Sequence, residues 1–436
     1  MFVSNNKFSP AALIILSVIF VGTIQIWLVK SSLQNSTLRI ETAIGEKTDR
    51  ITDQTSFIPD SFAKHAHAAS ATPLGNGDIL ATWYSGTREG SKDVNIFLAR
   101  FDSQEQRWLK KEVIMTRALS AQSLQRHIKK VGNPVISKAP NGRLWLFFVT
   151  VSYGGWAGSA VNVMYSDDDS QSWSIPKRLV SSPFFNLSTL VKTTPLYLED
   201  GTLLLPVYHE FIGKFAELLY IDQQGNILDK RRITSGKHSL QPTLVANNDN
   251  EILALMRHAK KNDSILASVS ADQGWNWSAE QKIGIFNPNA AISAIRLSNG
   301  NILLAANDLP FGRNQLSLFI SNDQGHTWNK LREIEKVTAT HFGRYIPYEE
   351  FRQLTRTELI NVTNASIPIK IDEILKNNMC TPYQLCKCHY SYPYLTQSND
   401  GIIHLLYTWH ESAIKHVYFS ESALLKLSKK TSSPES

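Results

Sequence analysis

Short apolar runs recur along the chain, each opened by a turn of Asn, Asp and Gly. Six copies stand out: Asn76-Gly77 before Asp78-Ile79-Leu80-Ala81, Asn141-Gly142 before Arg143-Leu144-Trp145-Leu146, Asp200-Gly201 before Thr202-Leu203-Leu204-Leu205, Asp249-Asn250 before Glu251-Ile252-Leu253-Ala254, Asn299-Gly300 before Asn301-Ile302-Leu303-Leu304, and Asp400-Gly401 before Ile402-Ile403-His404-Leu405. Asn-Gly and Asp-Gly reach positive φ at little cost, so each copy predicts a hairpin turn. The copies lie about 65, 59, 49, 50 and 101 residues apart. A repeat of this length predicts a propeller or solenoid. The last gap is about twice the repeat, which predicts an insertion in the sixth unit.

A second motif sets the phase. Ser321-Asn322-Asp323-Gln324-Gly325-His326-Thr327-Trp328 fits S-x-D-x-G-x-T-W throughout; Ser270, Asp272, Gly274 and Trp277 fit with Asn276 in the Thr place; Ser166, Asp168 and Trp173 fit more loosely. This is the Asp-box, or bacterial neuraminidase repeat. Its physics is local: Asp accepts backbone N–H groups in a tight turn, Gly or Asn supplies the left-handed residue, and Trp packs between neighbouring sheets. Asp222-Gln223-Gln224-Gly225 reads as an eroded copy. The boxes are structural.

The expected fold is all-β: a six-bladed β-propeller with an N-terminal transmembrane helix and a partly helical insertion before the last blade. Ala11 to Val29 is an uncharged, mostly apolar run between Lys7 and Lys30, long enough to span a bilayer and without a clear cleavage site. The expected organisation is a signal anchor over 1–30, a polar linker over 31–56, a propeller over 57–425 and a polar tail over 426–436. The insertion covers about 337–388, with helical spacing at Tyr348 to Leu359 and Ile371 to Asn378. The propeller is expected on the non-cytoplasmic side, with release after signal cleavage as the alternative.

Composition adds little beyond exclusions. Among 436 residues, 45 Lys and Arg against 38 Asp and Glu leave a net charge of +7. The excess is dispersed, and no Lys/Arg run points to nucleic acid. The three cysteines, Cys380, Cys386 and Cys388, lie in one stretch without zinc-ribbon spacing. No metal or cofactor is expected; one disulfide with one free thiol fits an exported domain. The chain is expected to act as a monomer.

Trp83-Tyr84-Ser85-Gly86-Thr87-Arg88-Glu89-Gly90, Gln241-Pro242-Thr243 and Tyr407-Thr408-Trp409 resemble the divergent bacterial branch of the sialidase superfamily, and the resemblance covers roughly residues 60 to 425. It implies a six-bladed propeller, in agreement with the hairpins. It also implies a site built from three arginines on a sugar carboxylate, an Asp acid/base, and a Tyr nucleophile activated by Glu. A neutral Tyr avoids repulsion from the substrate carboxylate, and bidentate Arg grips that planar group.

Carried onto this chain, the resemblance makes Arg257 the second arginine and Arg313 the third, the latter in Arg313-Asn314-Gln315-Leu316-Ser317-Leu318-Phe319-Ile320-Ser321. It makes Tyr392 the nucleophile and Asp93 the acid/base, with Arg88 and Glu89 nearby. The first arginine's place holds His67, with His65 on the same strand face. The place sixteen residues before Arg257 holds Gln241 rather than Glu. His titrates near neutrality and gives no permanent charge. Lys415 and His416 also resemble the branch's pattern.

The expected function is a carbohydrate-active enzyme acting on an acidic glycan that contains sialic or uronic acid, an exo-sialidase-like glycosidase. The alternatives are a uronate-directed glycan lyase and a non-catalytic glycan-binding propeller. The expected partners are that glycan and a membrane, held through the N-terminal helix.

Overall fold

The structure, a computed structural model, describes residues 36–40, 53–58, 63–182, 186–363, 379–381 and 383–424. The expected membrane segment, the second helical stretch of the insertion and the tail lie outside these residues. Among the described residues no helix is long and apolar enough to cross a membrane.

The chain folds into six antiparallel sheets arranged as propeller blades. Blade 1 runs from His65–Pro73 through Ile79–Gly86 and Asn95–Asp102 to Glu112–Thr116, and blade 2 from Lys130–Lys138 through Leu144–Val151 and Ser159–Ser166 to Lys177–Arg178. Blade 3 is built on Leu203–His209, Phe215–Ile221 and Ile227–Arg232, with an inner strand broken into Leu190–Val191 and Leu196–Tyr197. Blade 4 starts at Ser239–Ala246 and blade 5 at Ser293–Arg296. Blade 6 contains Tyr390–Gln397, Ile402–Trp409 and Ala413–Ser420. Its outermost strand is Gln54–Phe57, paired antiparallel with Ala413–Ser420, so the N-terminal side of the chain closes the ring.

All six repeated turns join the inner strand of a blade to the next strand. Five carry Gly at φ 82–91°, from Gly401 to Gly142. The Asp-boxes lie on the same face, between the third and fourth strands. Asp323 accepts from the Thr327 N–H at 2.8 Å and from Ser321 Oγ at 2.7 Å, and Asp272 repeats this with Asn276 and Ser270. The eroded box survives: Asp222 accepts from the N–H groups of Gln224 and Asn226. Trp173, Trp277 and Trp328 each pack on a core shared with the preceding blade. The hydrophobic effect thus acts mainly between blades, where alternate strand faces are covered on both sides.

Two segments fall inside the expected linker. Gln54–Phe57 is a blade strand, as described. Ser36–Ile40 lies across the hairpin face, with Leu38 2% exposed. The Leu38 N–H donates to Asp249 O, and Arg39 N–H to Tyr197 O.

The insertion before blade 6 contains a helix, Tyr348–Thr363, and a small sheet, Tyr345–Pro347 with Leu385–Lys387. Cys380 and Cys386 form a disulfide, and Cys388 is a buried free thiol. Phe351 and Leu359 of the helix join the core of the last blade with Phe57, Tyr390 and Trp409.

Candidate functional site

The inner strands share an irregularity that shapes the centre of the ring. In blades 1, 2, 4 and 6 the register with the second strand slips just after the strand begins. At each slip one residue adopts positive φ: Ala68 at 53°, Asn133 at 44°, Gln241 at 49° and Tyr392 at 52°. Asn289, just before the inner strand of blade 5, has φ 62°. A bulge re-aims the side chain of its extra residue. Positive φ is costly for residues other than Gly, and such strain gathers where a side chain is used. Three of the four bulged residues precede proline, at Pro134, Pro242 and Pro393.

These bulges bring the expected residues together. Gln241 Nε2 donates to the Tyr392 hydroxyl at 3.0 Å, and Arg257 Nη1 donates to Gln241 Oε1 at 3.0 Å. Arg257 Nε donates to Asn289 Oδ1 at 2.7 Å, while Arg313 Nη2 donates to the Asn289 carbonyl at 3.0 Å. Both guanidinium groups therefore close on one asparagine. The His67 ring lies 4.1 Å from that of Tyr392, centre to centre. His65, His67 and Tyr84 form a triangle with ring separations of 5.5–5.8 Å. Within it His65 Nε2, His67 Nδ1 and the Tyr84 hydroxyl are buried without a hydrogen-bond partner.

Burial, then the neighbouring His65, holds the His67 imidazole well below its ordinary range; burial also lowers His65. Both rings are therefore neutral, and neither restores the charge of a third arginine. Burial and then the Arg257 charge bring Arg313 down to about 10, so it stays cationic at neutral pH. Among the described residues, neither Arg257 nor Arg313 has an acidic side chain in ion-pair range.

Two expected residues stand apart. Asp93 and Arg88 lie in the exposed loop of blade 1, where Asp93 Oδ2 accepts from the N–H and hydroxyl of Thr87. The Asp93 carboxylate thus braces its own loop, and neither side chain joins the network of Tyr392. Lys415 forms a buried ion pair with Glu335.

Four residues not singled out in the sequence complete the site. Lys192, 4% exposed, donates through Nζ to the Pro393 carbonyl at 2.9 Å and stands 5.9 Å from the Tyr392 ring centre. Burial pulls its ammonium down to about 7. The Tyr208 hydroxyl lies 3.3 Å from Gln241 Nε2. Asn289 joins the arginines, and Glu411 meets His389 Nδ1 at 2.9 Å and His65 Nδ1 at 4.0 Å. The X-Pro dipeptides at inner-strand starts were the readable signal for the bulges; Glu411 had none.

The profile of the BNR repeat-like domain matches residues 77–405. The chain belongs to the BNR repeat-like domain family, with the fold of the sialidase superfamily. Solved structures agree on the fold. The Hadza microbial sialidase Hz136 aligns at 15% identity over 84% of this chain and 68% of its own, with a TM-score of 0.61. The intramolecular trans-sialidase of Ruminococcus gnavus aligns at 14% identity over 84% of this chain and 97% of its own, TM-score 0.59. The NanB sialidase of Streptococcus pneumoniae, solved as a K499G mutant, aligns at 12% over 87% and 70%, TM-score 0.58. Comparison of the sequence with curated proteins gave no match.

Proposed function

We propose that this BNR-repeat propeller is a carbohydrate-active enzyme that cleaves the bond to a terminal acidic sugar in its central funnel. The observation that carries this reading is the pair Arg257 and Arg313. Two cations converge on Asn289 beside Tyr392, and among the described residues no carboxylate lies in ion-pair range of either. Half-buried charge without a counter-ion is costly, and a ligand carboxylate would supply one. The sialidases among the structural neighbours support the substrate class.

With the carboxylate on the arginines, the reacting carbon next to it would face Tyr392. The Tyr392 oxygen bonds to the anomeric carbon as the glycosidic bond breaks, and its phenolic proton replaces the sugar on the departing oxygen. Water then reverses the exchange: its hydroxyl goes to the sugar, and its hydrogen returns to the phenol. Asp93, the acid/base expected from the resemblance, would need its loop to release Thr87. The loops between the second and third strands of blades 2, 3 and 5, on the face opposite the hairpin turns, expose Tyr153, Phe211 and Phe311. Exposed aromatics around a polar cleft suit the apolar faces of further sugar units.

Gln241 favours a second reading. An amide cannot take the Tyr392 proton as a carboxylate would. Elimination from a uronate asks instead for cationic pairing of the carboxylate, which acidifies the neighbouring C–H, and a nearby proton acceptor. Product analysis decides. Free sialic acid from 3′-sialyllactose supports hydrolysis, and ultraviolet absorbance of an unsaturated product from a uronate-ended glycan supports elimination. Binding of both without turnover makes the propeller a lectin-like module and overturns the enzymatic reading.

The N-terminal apolar segment is proposed as a membrane anchor, with the propeller on the non-cytoplasmic side. The docking of Ser36–Ile40 supports a defined orientation. It lies on the hairpin face, so the funnel would open away from the bilayer.

A further inference from the structure

The turn between the last two strands of blade 6 is unusual. Trp409-His410-Glu411-Ser412 closes with the Ser412 N–H on the Trp409 carbonyl at 3.0 Å, and its central residues have φ 47° and 55°. Two consecutive positive φ values define the mirror-image hairpin turn that normally takes Asn-Gly. Here both positions carry large side chains, and a strained backbone of this kind persists only where its surroundings impose it.

The surroundings do impose it. Glu358 of the insertion helix accepts from Tyr390 Oη at 2.8 Å and from Trp409 Nε1 at 2.5 Å, and its carboxylate stands 3.7 Å from His410 Nε2. The Phe351 ring packs 5.0 Å from that of His410. His410 is fully buried. On the other side, the Ala66 N–H donates to the Glu411 carbonyl at 2.7 Å. That bond pins the turn to the strand between His65 and His67.

Clamped in this way, Glu411 presents its carboxylate to the funnel. The side chain is 33% exposed, whereas Gln241 and His67 are buried. The Glu411 carboxylate stands 4.0 Å from His65 Nδ1, and the His65 ring lies 5.5 Å from that of His67 and 5.8 Å from that of Tyr84. Burial raises the Glu411 carboxyl, but pairing with His389 Nδ1 at 2.9 Å outweighs this and holds it down at about 2, so Glu411 rests ionised and enters as a proton acceptor. By contrast, Asp93 is held by Thr87, and Glu89 accepts from Trp156 Nε1 at 2.9 Å.

We infer that Glu411 is the proton-carrying catalytic carboxylate of this funnel, and that the insertion helix, through Glu358 and His410, is its positioning element. The inference rests on the enzymatic reading above. In hydrolysis Glu411 takes the Tyr392 proton and gives it to the departing glycosidic oxygen. In the second step it takes a proton from water, whose oxygen bonds to the sugar, and returns it to Tyr392. In elimination it takes the proton beside the substrate carboxylate; the C–H pair becomes the double bond, and the departing oxygen receives the proton. The turn is then kept against its backbone preference because it aims a carboxylate at the reacting centre, and the insertion belongs to the site.

The test uses the full chain with Glu411→Gln, Glu411→Asp, Glu358→Gln and the Glu411→Gln/Glu358→Gln pair. The assay is 3′-sialyllactose or the uronate-ended glycan, whichever the wild type turns over. Glu411→Gln should lower kcat by about 10²–10⁴-fold with KM changed less than about threefold. Glu411→Asp should recover part of the loss, and all variants should be assayed well below their melting midpoints. Glu358→Gln should lower kcat by roughly tenfold, and adding it to Glu411→Gln should cost nothing further, because both act through one group. A purely structural Glu358 would instead add its loss to the double variant. Glu411→Gln with kcat within about threefold of wild type overturns the inference and leaves the enzymatic reading standing, as does the full loss appearing in Asp93→Asn instead. A wild type that binds both glycans and cleaves neither overturns both.

Discussion

Gln241 donates its amide N–H to the hydroxyl of Tyr392 across 3.0 Å while its carbonyl oxygen takes Arg257. The side chain stands between the candidate nucleophile and the candidate carboxylate clamp. A glutamate there would reach both partners with no change of backbone, because the bulge already aims the position. Amide and carboxylate differ in one decisive respect: the carboxylate can accept a proton from the phenol, and the amide cannot.

Gln241→Glu should therefore raise hydrolysis of a sialoside reporter if Tyr392 is a nucleophile short of its base. The expected gain is about 10²-fold in kcat, the low end of what a positioned base contributes. Reporter kinetics across neutral pH check it. Unchanged kinetics, with ligand affinity intact, would mean that Tyr392 is already served by another base, Glu411, or that the reaction is an elimination without attack by Tyr392.

Arg257→Lys should weaken an acidic ligand far more than it weakens the fold. Lysine keeps the charge and loses the planar fork that engages Gln241 and Asn289 together. The lost charge-assisted contact should cost on the order of 1.5–3 kcal/mol of binding. Titration calorimetry with free sialic acid and with glucuronic acid reads this directly, beside a thermal melt. A large fall in the melting midpoint with unchanged affinity would make Arg257 a strut between blades.

The turns and Asp-boxes were legible because their physics is local. Gly at positive φ and Asp under backbone N–H groups need only their neighbours in sequence, so six blades could be counted. The site residues taken from the resemblance were half legible. Gln241, Arg257, Arg313, Tyr392 and His67 meet because each lies within two residues of a strand end, in phase from blade to blade, whereas Asp93 is drawn off by Thr87, a contact no periodicity announces. Lys192, Asn289 and Glu411 went unseen for another reason. Their places depend on a broken strand, on contacts between blades, and on a turn without glycine. Gln54–Phe57 read as linker because an outermost strand buries one flank only, and its polar composition matches a tether.

Lys192 offers a pH-resolved test. Its ammonium falls from 10.5 to about 7 because of burial. Between those pH values the unfolded chain holds a proton that the folded chain lacks, so this group's contribution to stability rises with pH across the window. Below pH 7 both states hold it and the penalty is full; above about 10.5 it vanishes. Lys192→Met should accordingly be more stable than wild type at pH 6, by at most about 5 kcal/mol less the lost bond to the Pro393 carbonyl. The advantage should shrink as pH rises from 7 to 10. Urea unfolding of both proteins at pH 6, 7, 8 and 9 measures the difference, in which other titrating groups cancel. A constant difference would show that Lys192 stays charged in the folded protein, with a counter-ion or water beside it. A variant that is stabilised yet loses acidic-ligand affinity would identify Lys192 as the cation standing in for the missing arginine.

The docked segment turns the proposed anchor into a claim about direction. Ser36–Ile40 is pinned by Leu38 to Asp249 and by Arg39 to Tyr197, on the face that carries the repeated turns. Lys30 lies six residues before Ser36, a reach of at most about 20 Å even when fully extended. If Ala11 to Val29 spans a bilayer, the hairpin face must sit against that bilayer, and the funnel must open towards the surroundings, within reach of long glycans. Carbonate-resistant membrane association should vanish when residues 1–30 are deleted, and a soluble mature chain without its N-terminus would show a cleaved signal instead. Orientation is measured separately. In vesicles carrying a headgroup quencher, a fluorophore on a cysteine placed at Gln223, beside the docked segment, should be quenched, and one placed at Phe211, on the funnel rim, should stay bright. Equal quenching at both positions would mean that the contacts of Leu38 do not govern how the propeller stands, and that the tether lets the funnel face either way.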